Sequence, residues 1–236
     1  MSADPDAERF EFTVPDGRFD ALILRPERRP APGLLILPEV FGRSAELQGM
    51  AGDFAARGFL VGVVDLHWRL EPEVALGPTE IERARSLHQR LDYEAAAGDV
   101  SAAVEQFRGA PGGSGKVAVV GFCLGGTLAW IAAARSRADA CVAYYGTRIP
   151  QYIAEAHAIS RPLLMHIGEA DHFTPPEVVS QIEAATADNP DVTRFLYPGV
   201  GHSFCNPAQS HFDPAARDAA HRRTEAFLNL HLSSAP

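Results

Sequence analysis

Short apolar runs recur along the chain and are separated by stretches of helical composition. Gly33–Leu37, Phe59–Val64, Lys116–Val120, Ala140–Tyr145, Pro162–Ile167 and Thr193–Tyr197 read as strands. Their apolar positions are near-continuous rather than alternating, as expected of strands buried on both faces of a parallel sheet. Phe10–Val14 and Phe19–Arg25 flank the turn Pro15-Asp16-Gly17 and predict an antiparallel edge hairpin. Ala45–Arg57 predicts a helix closed by Gly58. Thr79–Arg108 predicts a helical stretch with one break near Gly98, and Gly126–Arg135 another helix. Thr174-Pro175 and Asp213-Pro214 read as N-cap and first helical turn, the latter opening a last helix that ends near Leu230. Strands alternating with helices imply one α/β domain over residues 1–236, with a mostly parallel sheet covered on both faces. Residues 1–9 are expected to form a flexible tail, and Leu66–Pro78 is too short for a cap domain.

Composition narrows the function. The 236 residues are 46% hydrophobic and 22% charged, with a net charge of −9 and no basic run, which argues against a nucleic-acid partner. No apolar run reaches the roughly 18 residues that span a bilayer, and Met1–Arg9 lacks the features of a signal peptide. Three cysteines, Cys123, Cys141 and Cys205, form no disulfide framework and fit free thiols in a reducing cytoplasm. The expectation is a cytoplasmic protein acting on a small molecule, as a monomer or homodimer.

Candidate chemistry begins at Gly121-Phe122-Cys123-Leu124-Gly125-Gly126, directly after the Lys116–Val120 strand. This is the nucleophile-elbow spacing G-x-S-x-G with cysteine in place of serine. Glycines let strand and helix approach closely around a strained turn. The turn presents the sulfur at a helix N-terminus, where free N–H groups favour a thiolate. The pattern points to covalent catalysis on an acyl group. A lone cysteine among apolar neighbours also serves commonly as a small core residue, so the rest of the chain decides.

Sites in open parallel sheets form beyond the carboxyl ends of the strands. Asp171 follows the Pro162–Ile167 strand and His202 follows Thr193–Tyr197, which gives the order nucleophile, acid, histidine found in α/β-hydrolases. His202 would move the proton between thiol and leaving group, and Asp171 would fix its tautomer. Glu169 and His172 compete for the acid's place, and Asp171 could instead cap a helix. His166 reads as a core strand residue. His166, Asp171 and His172 lack a second ligand cluster, so no metal site is expected.

On these residues, together with Pro38-Glu39-Val40-Phe41-Gly42, Val64-Asp65-Leu66 and Gly201-His202-Ser203-Phe204, the chain from about Phe10 to Leu230 resembles the dienelactone hydrolase (carboxymethylenebutenolidase) family. The resemblance implies a cofactor-independent α/β-hydrolase that cleaves an enol-lactone through a thioester on Cys123. It implies that Glu39 sits beside the thiol and helps generate the thiolate, and that the N–H groups of Val40 and Leu124 form the oxyanion hole. Two departures stand out. No arginine follows His202, where Ser203-Phe204 leads to Cys205-Asn206. A second family arginine has only Arg83 and Arg85 as nearby substitutes, and His67 replaces a tyrosine. A different or less anionic ester is therefore expected, with Phe41, Phe122, Trp68, Phe173 and Phe204 as candidates for an apolar wall. A thiol-based acyltransferase or thioesterase, and a non-catalytic ligand-binding member of the fold, are the alternative readings.

Overall fold

A computed structural model describes residues 8–233. Eight strands form one sheet: β1 (Arg9–Val14), β2 (Gly17–Leu24), β3 (Ala31–Leu37), β4 (Leu60–Val64), β5 (Gly113–Phe122), β6 (Ala140–Tyr144), β7 (Leu163–Gly168) and β8 (Val192–Tyr197). Their order is β1-β2-β4-β3-β5-β6-β7-β8. β1 and β2 pair antiparallel, as does β2 with β4; every other pairing is parallel. The edge hairpin and the parallel α/β domain are as the sequence predicts. Most of the expected tail lies outside the described residues. Glu8 and Arg9, however, are already tied to the sheet: Ile23 N–H donates to the Glu8 carbonyl at 2.8 Å, and Arg9 starts β1.

The period of two along the strands assigns side chains to two layers. Val117 and Val119 of β5 face the layer that includes α3 (Tyr93–Phe107) and α4 (Leu124–Arg135). Ala118, Val120 and Phe122 face the layer of α1 (Ala45–Ala56) and α6 (Pro214–Leu232). α4 is buried almost all round because it crosses the middle of the sheet, with Trp130 completely enclosed. Truncating a side chain of that size in a core costs about 3–5 kcal/mol. A third, smaller cluster joins Phe41, Val74, Leu76, Ala84 and Leu87, and it docks α2 (Ile81–Arg90) against the loop that follows β3.

Two expectations need correction, and one element has no signal in the sequence. The break in the Thr79–Arg108 stretch falls at Leu91-Asp92, not near Gly98. The Asp92 carboxylate accepts from Glu94 N–H at 2.9 Å and Ala95 N–H at 3.1 Å, so it caps a new helix. Gly98 lies exposed within α3, where one glycine costs only about 1 kcal/mol against a well-buried opposite face. Thr174 is not an N-cap: α5 (Pro176–Ala185) starts after Pro175, and the Thr174 hydroxyl has no partner. A 3-10 segment, Ile149–Ala158, follows β6 where no helical spacing announced it. Asp213 does cap α6, accepting from Ala216 N–H at 2.8 Å. No helix among the described residues is long and apolar enough to cross a membrane.

Candidate active site

The parallel strands bring their carboxyl ends to one edge, and the candidate residues gather there. Cys123 occupies the turn between β5 and α4 with φ 55°. Steric space explains why this turn contains glycines. A Cβ on Gly121 would stand 1.8 Å from the Gly125 carbonyl oxygen, and one on Gly125 would stand 2.3 Å from the Leu37 carbonyl oxygen. Strand, turn and helix can approach this closely only without those side chains. The turn is pinned by Cys123 N–H donating to the Tyr144 carbonyl at 3.0 Å. Tyr145 (φ 39°) and Ser203 (φ 57°) are also left-handed. Three strained non-glycine residues thus meet in one cluster, a pattern associated with functional sites.

His202 follows β8, and its Nδ1 lies 2.7 Å from the Asp171 Oδ2. The other Asp171 oxygen accepts from Phe173 N–H at 2.8 Å, which fixes the carboxylate in the turn after β7. Asp171 is buried, and His202 is nearly so. Burial opposes a charged imidazole. The neighbouring Cys123 sulfur and the hydrogen-bonded Asp171 carboxylate outweigh it and raise His202 to about 10. Neither Glu169 nor His172 takes the place of Asp171.

Glu39, on the loop after β3, is buried beside this pair. Tyr145 O–H donates to its Oε1 at 3.0 Å, and Asn206 Nδ2 donates to its Oε2 at 2.7 Å. Burial raises the carboxyl group. The hydrogen bond from Asn206, the charge on His202 and the bonds from Tyr145 and Ser203 oppose that rise without cancelling it. Tyr145 and Asn206 are both neutral donors. Sequence reasoning missed Tyr145 and Asn206. Asn206 was visible only as the absence of an arginine, and Tyr145 only as the end of a strand.

A cavity of about 270 Å³ opens onto these groups, lined among others by Glu39, Val40, Phe41, Cys123, Phe173 and His202. Leu124 is the first residue of α4, so its N–H has no acceptor within the helix. Phe173, 43% exposed, stands edge-on to the His202 ring at 4.7 Å between centroids. α2 contributes Ile81, Arg85 and His88, spaced to share one helix face. Arg85 reaches the cavity while pairing with Glu82 at 3.0 Å.

Four of the expected substrate-contacting residues are elsewhere, and one of them, Phe122, is wholly buried in the core beneath α1 and α6. Arg83 is engaged with Glu71 and, at 3.3 Å, with Glu80 on the outer surface. Trp68 turns toward the hairpin, stacks on Phe19 at 5.6 Å and donates to Asp99 at 2.9 Å. Phe204 is wholly buried between Tyr145 and Tyr197 and serves the core. Two smaller hollows flank the hairpin and lie away from this cluster. No group of three or more metal-binding side chains occurs among the described residues.

The dienelactone hydrolase family model matches residues 19–232. The chain is 38% identical to carboxymethylenebutenolidase 1 of Cupriavidus pinatubonensis, over 91% of this chain and 92% of that protein. It is 34% identical to the carboxymethylenebutenolidase of Pseudomonas putida, over 89% and 90% of the two chains. The crystal structure of dienelactone hydrolase from Anabaena variabilis superposes with a TM-score of 0.72 at 19% identity, covering 97% of this chain and 99% of that one. The family match and these relatives show that the chain belongs to the dienelactone hydrolase family and is a carboxylic ester hydrolase.

Proposed function

We propose that the protein hydrolyses small carboxylic esters or lactones by covalent catalysis on Cys123. The Cys123 sulfur attacks the ester carbonyl carbon, and the oxyanion is held by the Leu124 and Val40 N–H groups. The carbon–oxygen bond to the leaving alcohol breaks as His202 gives it a proton, leaving a thioester. His202 then takes a proton from water, the hydroxide attacks the thioester, and the acid departs with the thiolate restored. Asp171 holds the Nδ1 proton throughout and stabilises the imidazolium. Glu39, buried beside the pair and made more basic by that burial, accepts the thiol proton when substrate enters and so helps generate the thiolate. Phe41 and Phe173 supply apolar contact, and Arg85 contributes positive potential at the rim.

The observation that carries this reading is the 2.7 Å contact between His202 and Asp171, with the same histidine bordering one cavity with Cys123 on its strained turn. The names of the carboxymethylenebutenolidases support a lactone as substrate. Stopped-flow hydrolysis of a p-nitrophenyl ester tests it. A burst of one p-nitrophenolate per chain, absent in Cys123→Ala, is expected. Turnover that survives in Cys123→Ala would overturn the assignment. Added alcohol should divert little of the acyl group; predominant transfer to it would make the protein an acyltransferase.

A further inference from the structure

Part of the cavity wall is not used by the chemistry above. His88 and Thr147 both border the cavity. His88 Nε2 lies 2.9 Å from the Tyr93 hydroxyl, and that hydroxyl also sits beside Thr147. The Thr147 hydroxyl is buried and makes no hydrogen bond of good geometry. It has lost water without gaining a protein partner, so a substrate oxygen bonded there would recover that cost. No partner of His88 Nδ1 is found among the described residues. The Tyr93 hydroxyl can donate either way, so Nδ1 can act as donor or acceptor. Burial and the facing cations Arg148 and His202 keep His88 neutral, down at about 4. Arg148 is itself stacked over the Tyr93 ring at 4.9 Å.

We propose that His88 and Thr147, with the Tyr93 hydroxyl beside both, form a specificity subsite for an uncharged hydrogen-bonding oxygen of the substrate, a hydroxyl or a carbonyl. Neutral groups such as these reward a neutral oxygen more than a carboxylate. The inference rests on the ester-hydrolase reading and names the class of ester within it: small hydroxy- or oxo-substituted esters.

The test compares kcat/KM for matched pairs that differ in one hydroxyl. One pair is p-nitrophenyl 3-hydroxybutyrate and p-nitrophenyl butyrate; the other is 2-hydroxyethyl butyrate and propyl butyrate. At least one pair is expected to favour the hydroxylated member by about tenfold, since each neutral hydrogen bond contributes about threefold to tenfold. Thr147→Val and His88→Phe should each shrink that ratio by about threefold or more, while Thr147→Ser, which keeps the hydroxyl, should preserve it. Ratios near one for both pairs in the unaltered enzyme would overturn the subsite, as would a ratio that Thr147→Val leaves intact. A preference for p-nitrophenyl hemisuccinate over all of these, lost in Arg85→Ala, would overturn it in favour of a charged site. Failure to hydrolyse even the plain esters would instead remove the underlying reading, and the subsite with it.

Discussion

Asn206 donates its side-chain N–H to Glu39 across 167 residues of sequence, at 2.7 Å. The carboxylate of Glu39 is buried, and this amide is its strongest recorded stabiliser. An arginine here would hold Glu39 ionised by charge. The asparagine does so by one hydrogen bond, which leaves Glu39 easier to protonate.

Two substitutions of Asn206 should therefore move the acid limb of the kcat/KM profile in opposite directions. Asn206→Leu removes a bond that favours the charged carboxyl, so the limb should move to higher pH, with activity at pH 6 down about tenfold. Asn206→Arg adds a cation beside the carboxylate, so the limb should move to lower pH and carboxylated lactones should gain. A limb that stays put in both variants would show that Glu39 does not act as a carboxylate.

Much of this arrangement was legible in the chain. The β5 strand, Gly121, Gly125 and Cys123 announce themselves locally, because a strained strand-to-helix turn demands those residue types in that order. Asp171 and His202 were legible from the rule that sites sit beyond strand ends. Tyr145 and Asn206 were not, since nothing local marks a residue whose partner is a buried glutamate more than a hundred positions away. Trp68 misled because a large aromatic in an irregular loop fits a pocket wall as well as it fits Phe19 and Asp99. The break lies at Asp92 because a capping carboxylate starts a new helix there, whereas Gly98 is tolerated on an exposed helical position.

The Asp171→Asn enzyme should lose about three to four orders of magnitude in kcat/KM. The amide can hold the ring but favours the wrong tautomer and offers no charge to the imidazolium. Steady-state kinetics on a plain p-nitrophenyl ester read this directly. A loss below tenfold would mean that Asp171 is a structural group.

Glycine substitutions separate space from backbone freedom. Gly125→Ala forces a Cβ to within 2.3 Å of the Leu37 carbonyl, so β3 and α4 must part, at a cost of about 3 kcal/mol or more. Gly98→Ala meets nothing within 4 Å on an exposed helical position and should stabilise by about 0.5–1 kcal/mol. Urea unfolding midpoints measure both. Equal effects of the two changes would contradict the packing described for the elbow.

Stability should fall on the acid side because histidines are buried uncharged. Burial lowers both His67 and His221 from 6.5 to about 4. Below 6.5 the unfolded chain binds protons that the folded chain refuses, so stability is lost as pH falls from 6.5 toward 4, by about 3 kcal/mol per fully buried group. His202 acts in the opposite sense. Raised to about 10, it contributes below 6.5 and loses that contribution as pH rises toward 10. Urea titrations from pH 4.5 to 9 should show a maximum near neutrality. Both ring nitrogens of His67 lack partners, so His67→Leu should flatten the acid side. An unchanged acid slope in that variant would contradict the burial assigned to His67.

The identity of the nucleophile is the claim on which the rest depends. Cys205 is completely buried, and its thiol is pushed well up, first by burial and then by the charge of Glu39. Cys141 is buried in β6 and likewise raised. Cys123 alone of the three borders the cavity. Acid quenching during turnover of a slow p-nitrophenyl ester, followed by mass spectrometry of the digested protein, locates the acyl group. One acyl group on the peptide that contains Cys123 is the predicted result. An acyl group on Cys205 or Ser203, or a leaving-group burst with no acylated peptide, would contradict it.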